Sequence, residues 1–69
     1  MDWRLVLGRN ILKLRNARGW TQADLAGEAN LSVRFVGGVE RAEENPTLDV
    51  LIQLASAFTV PLGALFEHS

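Results

Sequence analysis

Apolar residues in this chain recur three and four positions apart, the spacing of a helix face, so the pattern predicts five helices and no strand. The first helix runs from about Trp3 to Arg18, with Asp2 as its N-cap and Gly19 as its stop. Its inward stripe is Leu7, Ile11 and Leu14, continued by the aliphatic stem of Arg18. The second runs from Gln22 to Ala29 and turns Leu25, Ala26 and Ala29 inward. The third runs from Val33 to about Glu40 and buries Val36 and Val39, with Phe35 at the edge of the core. After a polar loop, Arg41 to Pro46, a fourth helix from Leu48 to Phe58 turns Leu48, Leu51, Leu54, Ala55 and Phe58 inward. Pro61 suits the first turn of a short fifth helix ending at Phe66.

The stretch from Thr21 to Glu40 is the most informative. Thr21 and Asp24 have the spacing of a capping box, with Trp20 placed before the cap to staple the helix start. Ser32 caps the next helix in the same way. Asn30 and Leu31 separate the two, and Asn tolerates the left-handed backbone of a tight turn. Two helices this short bury little apolar surface alone, and the flanking helices are the scaffold they need.

Composition narrows the class. A chain of 69 residues with 48% apolar content is expected to form one domain, residues 1–69, with a compact core. There is no cysteine, which excludes disulfides and thiolate metal sites. No apolar run approaches a membrane span of about 20 residues, and the first residues lack the pattern of a signal peptide, so a cytoplasmic location is expected. The net charge of −1 is unevenly spread. Residues 1–20 carry Arg4, Arg9, Lys13, Arg15 and Arg18 against Asp2, and the remaining residues are net acidic. The one histidine, His68, lies next to the C-terminal residue. With no nucleophile–base pair, no metal-ligand cluster and no phosphate-cradling glycine loop, neither an enzyme nor a cofactor is expected.

The segments LGRNILKLRNARGWTQADLA, LSVRFVGGVE, ENPTLDVLIQLASAF and VPLGALF, in this order, resemble the phage repressor and Cro family of helix-turn-helix proteins. The resemblance covers Leu7 to Phe66. It rests most on Thr-Gln-x-x-Leu-Ala at Thr21 to Ala26, on Glu40 closing the third helix and on Asn-Pro-Thr-Leu at Asn45 to Leu48. It implies an all-α, five-helix, lambda-repressor-like DNA-binding domain whose helix-turn-helix occupies about residues 21–40.

The resemblance also implies roles. Gln22 matches a residue that grips a DNA phosphate and braces the recognition helix, and Ser32 a cap that also touches phosphate. Val33, Arg34, Gly37 and Gly38 fall at the outward positions that read base edges. Arg34 suits guanine and Val33 a thymine methyl, unless Arg34 is merely exposed or is held by Glu28 or Glu67. Arg41 and Asn45 remain as phosphate contacts. Arg15 and Glu40 match a partly buried pair that locks the recognition helix to the scaffold.

Two features depart from the family. Gly37 and Gly38 stand where a serine and a long polar residue are usual. Three accounts are open: a close approach to DNA, a helix that DNA must order, or a face that no longer reads DNA. Ala42, Glu43 and Glu44 occupy a loop where glycine and basic residues are usual, so weak and salt-sensitive binding is expected.

The expected function is therefore a transcriptional regulator, repressor or activator, that binds operator DNA as a homodimer through a recognition helix in the major groove. Thr59, Val60, Pro61, Leu65 and Phe66, with Trp3, are the candidate dimer contacts. The alternative is a helix-turn-helix interaction module, antitoxin-like or a dimerisation subunit, that binds a protein partner in place of DNA. Operator sequence, effector and the sign of regulation are not legible.

Overall fold

The computed structural model describes residues 1–68. Among these, four α-helices precede one 3₁₀ helix and there is no strand. The helices are α1, Trp3–Ala17; α2, Gln22–Ala29; α3, Val33–Glu40; and α4, Leu48–Phe58. The 3₁₀ helix is Leu62–Phe66. It is the short fifth helix expected from the sequence, in 3₁₀ form. Pro61 stands just before it with extended backbone, and a segment of five residues is too short to sustain an i→i−4 ladder without a cap.

Side-chain oxygens start all four α-helices. Asp2, Thr21, Ser32 and Thr47 accept hydrogen bonds from the backbone N–H groups of Arg4, Asp24, Phe35 and Val50. At α2 the box is reciprocal, since the Asp24 carboxylate also accepts from the Thr21 N–H at 2.8 Å. The four helices end alike. A residue with positive φ follows each (Gly19, Asn30, Ala42 and Thr59), and the next N–H reaches back five residues. Those return bonds run from Trp20 to Arg15 O, Leu31 to Ala26 O, Glu43 to Gly38 O and Val60 to Ala55 O. This is the Schellman closure, which satisfies carbonyls that a helix end would otherwise leave bare. Glycine fills the left-handed position after α1 only. Ala42 after α3 carries a Cβ into a conformation that disfavours it.

The core forms where the four α-helices and the 3₁₀ helix meet. Ile11, Leu25, Val36, Leu54, Phe58 and Leu65 are fully buried. Leu14, Leu31, Phe35, Val50 and Leu51 pack against them, so Phe35 sits at the core edge. Two inward assignments need correction. Leu48, in the first turn of α4, is 61% exposed. Arg18 is also exposed. Its guanidinium lies 5.1 Å from the Phe58 ring centre and 5.6 Å from that of Trp20, and donates to the Phe58 carbonyl. Trp20 stacks on Phe58 at 5.6 Å, which ties the start of α2 to the end of α4. Asn10 donates to the carbonyls of Leu65 and Glu67 and moors the C-terminal segment to α1, and Gln53 does the same for α4 and the end of α2 through Ala29 O.

Helix α3 is held to α1 in two ways. The first is backbone proximity at Gly8, a residue whose spacing attracted no role. A Cβ at position 8 would lie 2.7 Å from Val39 O and 2.8 Å from Glu40 O. The second is an ion pair. Arg15 Nε donates to Glu40 Oε2 at 2.7 Å and Arg15 Nη2 to Oε1 at 3.1 Å, a bidentate fork with side chains only 13% and 7% exposed. Arg15 Nη1 donates to Trp20 O, and Gln22 Nε2 adds a bond to Glu40 Oε1 at 3.0 Å. Hydrogen bonding to Glu40 raises the Arg15 pKa above its ordinary value, its effect outweighing the desolvation that lowers it.

Three outcomes are expected from these contacts. Gly8→Ala forces the α1 and α3 backbones apart and lowers stability by about 2 kcal/mol or more, despite alanine's better helix propensity; a denaturant midpoint at or above that of wild type would contradict the close contact. Arg15→Ala strands a nearly buried carboxylate and costs roughly 3 kcal/mol, or about 12–24 °C in melting temperature for a chain this small; an unshifted melt would show that the fork contributes nothing. Ala42→Gly relieves the left-handed alanine and stabilises by roughly 0.5–1 kcal/mol, read in the same melts.

Candidate nucleic-acid interface

Residues three and four apart share a helix face, so Val33 and Arg34 form one patch with Gly37 and Gly38, opposite the buried Val36 and Val39. Val33 is 47% exposed and Arg34 is exposed. Among the described residues Arg34 enters no ion pair, so neither Glu28 nor Glu67 holds it. Its fork of donors is turned to solvent on a helix whose inner side is clamped.

The start of α2 adjoins this patch. Gln22 is half-buried and its amide braces Glu40, while its Oε1 would lie 3.5 Å from a Cβ at position 37. Ser32 is exposed, and its hydroxyl accepts from the Phe35 N–H at 3.0 Å. Arg41 and Asn45 are exposed beyond the end of α3. Arg41 Nε donates to Glu43 Oε1 at 3.1 Å, with both side chains more than half exposed, so the pair adds little stability.

Gly37 and Gly38 are not bare: both are buried. Position 37 is roofed by the Arg41 guanidinium and position 38 by the Glu44 side chain, which returns from the loop. The position of Glu44 had no signal in the sequence, because nothing in a loop's composition states where its side chains come to rest. The intact α3, closed at both ends by caps, also gives no sign of a helix that terminates early at its glycines.

The positive charge of the N-terminal segment lies elsewhere. Arg9 and Lys13 line a groove with Val6, Asn10, Val60 and Ala64, a set that includes no residue of α2 or α3. Near the outer face of α3, Arg34 and Arg41 stand against Glu43 and Glu44, so local charge is nearly balanced. No cluster of residues able to hold a metal ion occurs among the described residues.

Comparison with known proteins agrees with this geometry. The helix-turn-helix family profile matches residues 11–65. Control protein C.SmaI of Serratia marcescens is 37% identical over 68 residues, covering 99% of this chain and 81% of that protein. The HTH-type transcriptional regulator y4dJ of Sinorhizobium fredii is 35% identical over 60 residues, covering 87% of this chain and 78% of that protein. The crystal structure of the restriction-modification controller protein C.AhdI from Aeromonas hydrophila has a TM-score of 0.88 at 35% identity, covering 91% of this chain and 96% of that one. The chain thus belongs to the helix-turn-helix family, of phage repressor and Cro type, and is a DNA-binding transcriptional regulator.

Proposed function

We propose that this regulator binds operator DNA sequence-specifically as a homodimer, with α3 lying in the major groove. The observation that carries the reading is the contrast between the two sides of α3. One side is fastened to α1 and α2 through Gly8 and Glu40, and the other presents Val33 and an Arg34 that enters no ion pair among the described residues. A rigid backing with a free guanidinium is what bidentate contact with guanine O6 and N7 requires. Gln22, Ser32 and Asn45, at the two margins of α3, are placed to meet phosphates and set the register of the helix.

One copy offers too small a surface for tight, specific binding, since specific complexes bury about 1,000–2,500 Å² of protein. Two-fold pairing doubles that surface and spaces two recognition helices by about one DNA turn. Of the dimer contacts expected from the sequence, Leu65 is fully buried in the core and is withdrawn. Trp3 is half exposed, with its ring edge-on to Phe66 and His68. Leu48 and Ile52, one turn apart on α4 and 61% and 48% exposed, form an apolar pair for which the monomer core has no use. They take the place of Leu65 as the contact with a second copy.

Duplex DNA from upstream of the protein's own gene is the probe. Arg34→Ala is expected to reduce affinity by roughly ten-fold for the best duplex and to flatten preference at one position. For wild type, log K is expected to fall linearly with log salt as released counterions dictate. Absence of duplex binding at low salt would favour an interaction module. For the dimer, Ile52→Glu is expected to give a folded monomer in sedimentation; retention of the dimer would move the contact elsewhere.

A further inference from the structure

The two glycines of α3 each weaken the helix by roughly 1 kcal/mol relative to alanine, and they stand at positions from which side chains would project into a groove. Their burial shows what replaces those side chains. A Cβ at position 37 would lie 2.9 Å from Arg41 Nη1, and a Cβ at position 38 would lie 2.7 Å from Glu44 Cγ and 2.8 Å from Glu44 Oε2. Contacts that short do not persist, so Arg41 and Glu44 rest where they do because neither residue beneath them has a side chain.

The hydrogen bonding of the two covers differs. Glu43 takes the Nε of Arg41, the one side-chain hydrogen bond of Arg41 among the described residues, and leaves the terminal nitrogens, of which Nη1 lies over Gly37, without a partner among those residues. Glu44 accepts no side-chain hydrogen bond and joins no ion pair among the described residues, although it is half-buried against α3. A carboxylate held against a helix without a donor is poised for a donor from outside.

We propose that Arg41 and Glu44, bedded on Gly37 and Gly38, are specificity-determining residues that read base edges in place of the side chains α3 lacks there: Arg41 a guanine edge, and Glu44 the amino group of a cytosine. This rests on the reading of α3 as the recognition helix. Guanine offers two acceptors to a guanidinium, and cytosine N4 is a donor suited to a carboxylate. A carboxylate facing a pure acceptor edge is repelled, as it is by neighbouring phosphates. Glu44 therefore lowers affinity for all duplexes and lowers it least where a cytosine meets it, which is discrimination by rejection. Glu43 accepts from the Arg41 Nε and leaves the terminal nitrogens for the base.

The test is selection by the full chain from a library of duplexes randomised over about two helical turns. Wild type, Glu44→Ala, Gly38→Ser, Arg41→Ala and Arg34→Ala are compared, with folding of each checked by circular dichroism. Wild type is expected to enrich a defined site. Glu44→Ala and Gly38→Ser, the second by displacing the carboxylate, are expected to lose a cytosine preference of roughly ten-fold at one shared position and to keep the rest. Arg41→Ala is expected to lose a guanine at another position, distinct from the one lost in Arg34→Ala. Glu44→Ala alters a half-exposed loop side chain outside the core, so it remains informative if Gly38→Ser unfolds. A Glu44→Ala site identical to that of wild type, with or without a uniform gain in affinity, would overturn the proposal and leave the recognition-helix reading intact. Enrichment of no sequence by wild type would overturn both.

Discussion

The Glu40 carboxylate is the constraint on which the rest of the structure depends. It closes α3, yet its donors come from α1 and α2: two nitrogens of Arg15 and the amide of Gln22. A charge this sheltered is tolerable only with its lone pairs occupied, so three helices must keep their relative positions for the carboxylate to remain satisfied. Apolar packing alone is permissive, since a core of Ile11, Leu25, Val36, Leu54 and Phe58 could accept small rotations of one helix against another. The bidentate fork cannot. The close approach at Gly8 acts with it, because the α1 backbone lies against the same Val39 and Glu40 carbonyls that end α3. The aim of α3 is thus set from behind, by side chains that are largely or partly buried.

That division of labour explains the balance of charge on the other side. Of the basic residues of the first 20 positions, Arg15 lies in the fork and Arg18 over two aromatic rings, while Arg9 and Lys13 line a groove that includes no residue of α3. Little positive charge remains for the outer face of α3. With Arg41 bonded to Glu43 and Glu44 folded onto α3, the outer face presents individually placed donors and acceptors and no general positive field.

Element boundaries were legible because they are local. Thr21, Ser32 and Thr47 each satisfy an N–H three residues on, and a cap of that kind needs no knowledge of the remaining chain. The ends were harder to read. Gly19 announced its left-handed role, whereas Ala42 and Thr59 adopt the same conformation against their own preference, compelled by the return bonds that close α3 and α4. Leu48 failed as a core residue for a related reason. Periodicity says which residues share a face, but where the neighbouring elements end decides which of them is covered.

The sequence by itself determined the helices, their starts, the central apolar stripe and the match of Arg15, Gln22 and Glu40 to a family pattern, since each follows from short-range periodicity or from residue order. Only the tertiary structure decided that Gly8 carries a backbone-to-backbone contact, that the C-terminal segment is 3₁₀, and that Gly37 and Gly38 are roofed by Arg41 and Glu44. The physical reason is the same in each case. A glycine has no side chain whose chemistry could announce its partner, so its meaning lies wholly in what comes to rest against it, and that is settled only when the chain has folded.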